Sequence, residues 1–385
     1  MKILVANLGS TSCKYCLFEM PADRSARDER EIARGQVERV GSSDVPDHAV
    51  AMQRCLDKLT AAGCLAGGES LDAVGFKAVH GGGVWAAARV DDEVLAVMDE
   101  YADIAPAHNP VYTRAMRALR QRWPDVPQVA CFETGFHRAI PLARQLYAVP
   151  YEWIERLGIR RYGFHGASHR YVGEAVAARL GRPDARVIAC HLGGSSSICA
   201  IAGGRSVATS MGLSAQSGLP QGARVGDFDA YGLIRLTAKT GQSAEALLAM
   251  MARQGGLLGL SGVGTDMRDI EAAAAAGDER AELAIAAFVS AARDYIGAYA
   301  VELGGVDAIA FTGGIGQNSV AVRGRICAGM EWMGVELDAR RNAAVRGDGV
   351  ISSDASKVRV EVLTTDEELV VARQTRDVLL TGENQ

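Results

Sequence analysis

Arg186-Val187-Ile188-Ala189-Cys190-His191-Leu192-Gly193-Gly194-Ser195-Ser196-Ser197-Ile198-Cys199-Ala200-Ile201-Ala202 holds an apolar run, a turn of small residues and a second apolar run. It reads as a strand, a tight glycine turn and a returning strand. The same plan stands near the N-terminus. There Ile3-Leu4-Val5 leads into Asn7-Leu8-Gly9-Ser10-Thr11-Ser12, and Lys14-Tyr15-Cys16-Leu17-Phe18 returns. Copies about half a chain apart predict a duplicated domain with a cleft between the halves.

Further elements follow the same alternation. Leu71–Phe76 reads as a strand running to His80-Gly81-Gly82-Gly83, and Gln128–Phe132 as a strand ending on Glu133. Ala308–Phe311 is a strand followed by Thr312-Gly313-Gly314-Ile315-Gly316 and a helix. Helices are expected over 49–62, over 109–122 with Asn109 as the cap, and over 167–180 before Gly181 and Pro183. An Ala-rich stretch reads as helical over 270–303, and a last helix runs from Thr365 to Leu380. Residues 21–48 are rich in charge and look loop-like around Gly41-Ser42-Ser43-Asp44. Alternating strands and helices make the class α/β.

Composition narrows the function. The chain has 385 residues, 41 Lys and Arg against 46 Asp and Glu, and a formal charge of −5. A general basic field for nucleic acid is therefore not expected. No run approaches the ~18 apolar residues of a membrane helix, and MKILVANLGS lacks a signal peptide's apolar core. Eight Cys in this length are too dilute for a disulfide scaffold and are expected as reduced thiols. The expectation is a cytoplasmic enzyme with no membrane or nucleic-acid partner.

The candidate chemistry lies in the turns. Small residues expose backbone N–H groups and hydroxyls, which suit phosphate oxygens. No P-loop occurs, and G-x-G-x-x-G spacing fails at 313–318. His165 and His169 stand four apart, but the Glu of H-E-x-x-H is absent, so zinc is disfavoured. His48 is read as surface. Cys13 and Cys16 would point to opposite faces of a strand, which argues against a metal or redox pair. In Gln221-Gly222-Ala223-Arg224-Val225-Gly226-Asp227 the Arg either clamps a phosphoryl group or pairs with Asp227. Asp266-Met267-Arg268-Asp269 opens a helix, and Glu367-Glu368 reads equally well as solvated surface.

In their order, these motifs resemble the acetate kinase family. They are Asn7–Ser12, His80-Gly81-Gly82, His108-Asn109-Pro110, Tyr162-Gly163-Phe164-His165-Gly166-Ala167-Ser168-His169, His191-Leu192-Gly193, Gly222-Ala223-Arg224, Asp266-Met267-Arg268 and Gly313-Gly314-Ile315-Gly316. The resemblance covers essentially the whole chain. It implies two duplicated ribonuclease H-like α/β domains of the sugar kinase/Hsp70/actin superfold, with an interdomain cleft. The expected boundaries are 1–147 plus 368–385 for an acyl-substrate domain and 148–367 for a nucleotide-binding domain. The implied reaction is reversible phosphorylation of a short-chain carboxylate by ATP, with Mg²⁺ or Mn²⁺, in a homodimer.

By the same resemblance Glu133, His165 and Arg224 are catalytic, and Asn7 and Glu367 hold the metal. Lys77, Val79, Ala107, Phe164 and Ala215 meet the acyl substrate. Lys14, His191, Leu192, Gly193, Gly194 and Ser195 contact the phosphates of ATP. Asp266, Met267 and Arg268 meet the ribose, and Gly314, Ile315, Gly316, Gln317 and Asn318 surround the adenosine. The alternatives are a butyrate kinase-like enzyme and a catalytically weakened nucleotide-binding regulatory homologue.

The chain also departs from the family pattern. Glu133 replaces an Asp, which moves the carboxylate by about 1.5 Å, and Gly135 replaces an Ala in a way that lets the loop retreat. Lys77 replaces an Arg and loses its planar fork. Gly194 stands for an Asn and Gln317 for a Glu. Ala107 and Ala215 stand where the family commonly has Leu and Pro, which predicts either a roomier acyl pocket or neighbours that fill the space.

Overall fold

Among the described residues twelve strands form two six-stranded sheets, each in its own compact unit. In the computed structural model the described residues are 1–9, 11–24, 28–65 and 71–385, so Ser10 of the first glycine turn lies outside them. One unit comprises Met1–Arg138 with Asp366–Gln385, the other Ala139–Thr365.

The first unit contains β1 (Lys2–Leu8), β2 (Ser12–Glu19), β3 (Arg30–Glu38), β4 (Ala73–Ala78), β5 (Ala87–Arg89) and β6 (Gln128–Phe132), in the order β3-β2-β1-β4-β6-β5. The second contains β7 (Arg186–Leu192), β8 (Ser196–Ala202), β9 (Arg205–Thr209), β10 (Ala308–Thr312), β11 (Gly349–Val350) and β12 (Arg359–Val362). Its order, β9-β8-β7-β10-β12-β11, repeats the first. In each, the first strand pairs antiparallel with the second and parallel with the fourth.

The likeness extends to register. The second strand of each unit is irregular at one place, Leu17/Phe18 in β2 and Ala200/Ile201 in β8. These positions face Leu4/Ile3 and Ile188/Val187, the same steps of β1 and β7. The first hairpin turns between Leu8 and Ser12 and the second between Leu192 and Ser196, and just before these turns Asn7 faces Lys14 and His191 faces Ser197. The duplication expected from the repeated hairpins is thus a duplication of whole sheets.

Strand alternation builds the cores. Leu4, Ala6 and Leu8 bury one face of the first sheet with Met52, Cys55, Tyr112 and Leu119. Ile3 and Val5 bury the other against Val371, Ala372 and Val378 of the C-terminal helix Glu367–Thr381. Cys13 and Cys16 divide between these faces, as the strand reading requires, and all eight cysteines are free. Among the described residues no helix is long and apolar enough to cross a membrane.

Some expectations fail for identifiable reasons. The charged stretch 21–48 contains β3, whose only buried side chain is Val37. An edge strand needs only its pairing to β2, and charge on its free side blocks further pairing. The Ala-rich run is not one helix but Met267–Ala275 and Glu279–Glu302. Gly277, at φ +97°, ends the first, and Asp278 accepts from Arg280 N and Ala281 N to start the second. Asn109 is not the cap of helix Asn109–Arg122; His108 occupies that position. The Asn109 amide instead donates to His80 O and Met98 O at 3.0 and 2.8 Å. His48 is half-buried, with Nε2 2.8 Å from Gly9 O, rather than plain surface.

Candidate active site

In the first unit, parallel strands β4 and β6 bring Lys77 and Glu133 to the same sheet end. Lys77 is the penultimate residue of β4, and Glu133 follows β6 with its N–H donating to Ala78 O at 3.0 Å. Glu367 opens the C-terminal helix, where the helix dipole favours a carboxylate. Lys77 Nζ lies 3.4 Å from Glu133 Oε1 and contacts Glu367 Oε2. Glu367 is therefore not the solvated residue its Glu-Glu context suggests; its side chain is 15% exposed. Burial works against the Lys77 ammonium, but Glu133 and Glu367 reverse that effect and hold its pKa above the ordinary value. Tyr112, fully buried, accepts a hydrogen bond from Leu8 N at 2.9 Å and braces the start of the first turn.

The turn after Glu133 is unusually close to its neighbour. A Cβ on Gly135 would lie 2.3 Å from Ala86 Cα and 2.9 Å from Trp85 O. The backbone at this position therefore leaves no room for the Cβ of an Ala. Of the other first-unit candidates, Asn7 is half-buried, Lys14 is exposed, Val79 is half-buried and Ala107 is exposed. The Asn7 amide and Glu367 carboxylate are hard oxygen donors that fit Mg²⁺ or Mn²⁺, which keep most of their shell as water and phosphate oxygens. Among the described residues no cluster of three or more His, Cys, Asp or Glu side chains forms a cation site by itself.

The second unit gathers His165, His169 and His191. His165 immediately precedes helix Gly166–Leu180 and has a left-handed backbone, φ +58°. Its ring stacks on His191 at 4.2 Å and 22°. His165 Nδ1 and His169 Nε2 lie 2.8 and 2.7 Å from one atom, Ser197 Oγ. Ser168 Oγ lies 2.8 Å from His191 Nδ1. This is a histidine–serine network. Phe164 is buried beside it in sequence, 4% exposed.

Arg224 resolves the alternative left open by its motif. Asp227 does not pair with it; Asp227 accepts from Gly218 N at 2.8 Å and from Tyr295 OH. Arg224 Nη1 donates to Ser195 Oγ at 3.1 Å, Gln221 Oε1 at 3.1 Å and Ala215 O at 3.3 Å. These acceptors are neutral, and burial lowers the guanidinium pKa. Gly222 N donates to Gly194 O at 3.0 Å, so the arginine loop is tied to the glycine turn. Gln221, fully buried, orients Arg224 and Ser195 together; its motif was visible, but nothing in the spacing signals this role.

A cavity of about 660 Å³ in this unit is lined by Gly193, Gly194, Asp266, Met267, Arg268, Gly314, Ile315 and Asn318 among others. Most of the expected nucleotide residues therefore meet. Thr265, Glu271 and Ser319 also line it and were missed. His191, Leu192, Ser195, Gly316 and Gln317 do not line it. Gln317 turns away, donating to Leu363 O at 3.2 Å. Asp266 caps its helix by accepting from Arg268 N at 2.9 Å, and pairing with Arg268 lowers its pKa to about 2.

A sequence profile of the acetokinase family matches residues 2–373. The chain belongs to the acetokinase family. It is 42% identical to an acetate kinase of Bacillus subtilis over 392 residues, covering 97% of this chain and 98% of that one. The solved acetate kinase of Porphyromonas gingivalis superposes with a TM-score of 0.90 at 37% identity, covering 98% and 99% of the two chains. A propionate kinase of Francisella tularensis gives 0.87 at 32% identity, covering 97% and 98%. These acetokinase relatives favour neither the butyrate kinase-like nor the regulatory alternative.

Proposed function

We propose that this chain is a carboxylate kinase that transfers the γ-phosphoryl group of ATP to acetate or a slightly larger acid, giving an acyl phosphate and ADP, reversibly. The observation that carries this reading is Arg224, a partly buried guanidinium whose hydrogen-bond acceptors are all neutral, tied to the glycine turn through Ser195. A positive charge so placed suits a phosphoryl oxyanion.

A carboxylate is already ionised near neutral pH, since its pKa is about 4. It needs no general base, and the obstacle is its approach to an anionic phosphate. The chain's part is positioning and positive charge. Arg224 and an N–H of His165 stabilise the transferred group, and Lys77 attracts the carboxylate. Glu133 holds Lys77 rather than removing a proton. Asn7 and Glu367 would hold a divalent cation, Mg²⁺ or Mn²⁺, which would supply neutralisation of phosphate charge when bound. Transfer is direct and in line, because a protein nucleophile adds nothing to a substrate that is itself one.

In this reading the unit holding the approximately 660 Å³ cavity takes the nucleotide, with Asp266, Met267 and Arg268 at the ribose and Gly314, Ile315 and Asn318 at the adenosine. Lys14, His191, Leu192, Gly193, Gly194 and Ser195 belong to the phosphates, while Gly316 and Gln317 shape the adenosine segment from behind. Lys77, Val79, Ala107, Phe164 and Ala215 receive the acid. The enzyme works in the cytoplasm as a homodimer. A coupled assay of the purified protein with ATP, a divalent cation and acetate, propionate or butyrate tests this. ADP release that depends on the acid is the expected result, and none with any acid overturns it.

A further inference from the structure

Ser197 sits on β8, fully buried, with its hydroxyl between two imidazoles. A hydroxyl has one proton to give and lone pairs to receive with. His165 Nδ1 and His169 Nε2 both lie within hydrogen-bond distance of its oxygen, at 2.8 and 2.7 Å. A buried hydroxyl left without an acceptor costs free energy. The satisfied arrangement donates to one ring and accepts from the other. The two histidines must then present opposite faces to Ser197, one a lone pair and the other an N–H.

Two further observations restrict the ring states. His165 stacks on His191 at 4.2 Å, where a second positive charge is unfavourable. His165 also stands at the N-terminal end of the fifteen-residue helix Gly166–Leu180, and His169 lies within its first turns. The positive end of the helix dipole works against an imidazolium at both. With both rings neutral, Ser197 decides which nitrogen of each carries the proton.

We infer that Ser197 is a positioning residue: it donates to His165 Nδ1 and accepts from His169 Nε2–H, so that His165 carries its proton on Nε2 and presents it as a donor. The choice between the two directions rests on the carboxylate kinase reading, in which His165 must give a hydrogen bond to the transferred phosphoryl group. Nothing moves through Ser197 in the reaction; it sets a tautomer before the reaction begins. Its place opposite His191 in the β7–β8 register makes that setting a property of the sheet rather than of a loop.

The experiment is nitrogen NMR of the full-length enzyme labelled with ¹⁵N-histidine, with His165 signals assigned by their loss in His165→Asn. The expected wild-type spectrum shows His165 protonated at Nε2 and unprotonated at Nδ1. In Ser197→Ala the His165 signals move towards a mixture of tautomers. kcat falls about tenfold, less than the roughly hundredfold or more expected for removing a stabilising donor outright, while KM for ATP stays unchanged. Ser197→Thr, which keeps the hydroxyl, restores both. A wild-type His165 protonated at Nδ1 overturns the inference. So does a folded Ser197→Ala with unchanged kcat or an unchanged His165 tautomer. If Ser197→Ala does not fold, the wild-type spectrum and His169→Gln, which keeps an N–H facing Ser197 and should keep the tautomer, decide the matter. The expected tautomer in a protein without kinase activity would defeat the functional reading and leave the role of Ser197 standing.

Discussion

Lys77 Nζ and Glu133 Oε1 stand 3.4 Å apart, so two positions at which this chain departs from the acetokinase pattern are in contact. An ammonium and a longer carboxylate replace a guanidinium and a shorter one. Exchanging one member alone leaves a gap or a clash; exchanging both preserves the pair. The contact makes a single joint adjustment of the two positions a testable reading.

Lys77→Arg and Glu133→Asp should therefore be non-additive. Each alone is expected to lower kcat/KM, and the double variant should recover part of the loss. The coupling expected for residues in contact is about 0.5–3 kcal/mol. Steady-state kinetics of the four proteins measures it, and additive losses would refute the joint adjustment.

Arg224→Ala should lower turnover by at least about a hundredfold, the scale for one lost charge-stabilising donor. Circular dichroism should show the fold intact, since the guanidinium is held only by neutral acceptors. Near-normal turnover in the folded variant would remove Arg224 from the mechanism.

Gly135→Ala is a test of packing. Its Cβ would meet Ala86 Cα at 2.3 Å, and backbone cannot step aside as a flexible side chain does. The expected destabilisation is about 1–3 kcal/mol, the usual range for overpacking. Thermal unfolding reads it as a lowered Tm, and an unchanged Tm would mean that the loop yields freely.

Acid stability should depend on Asp307. It accepts from Arg186 N and Arg182 Nη1, both at 2.8 Å. Hydrogen bonding from the Arg186 side chain is the main cause that lowers its pKa to about 2. The folded value lies below the unfolded one, so the contribution is present above a pH of about 4 and is lost as pH falls from about 4 towards about 2. After solvent screening it should amount to about 1 kcal/mol. Asp307→Asn should flatten the acid limb of stability over that window, as followed by urea unfolding at stepped pH. An identical limb would show that Asp307 contributes nothing there.

The acid preferred by the enzyme tests Ala107 and Ala215. Each added buried methylene should contribute about 0.8 kcal/mol, near fourfold in affinity. Propionate or a four-carbon acid should then show a higher kcat/KM than acetate, and Ala107→Leu should shift preference back. A wild-type preference for acetate of tenfold or more would mean that other side chains fill the space.

The chain's alternation of apolar runs and glycine turns was enough to establish the α/β class, the duplication and the places of most turns, because period-two burial and glycine punctuation are local properties. Its motif order also marked His165, Arg224, Asp266 and Gly314. The edge strand β3 was not legible, since pairing to β2 supplies its stability and leaves only Val37 buried. Nor were the contact between Lys77 and Glu367, the bracing of Arg224 by Gln221, or the meeting of His165 and His169 at Ser197. Each of these joins residues far apart in the chain, or points a side chain in a direction that spacing does not encode. Ion pairs and shared hydrogen bonds depend on distances of about 3 Å, and only the packed sheets and helices bring such atoms that close.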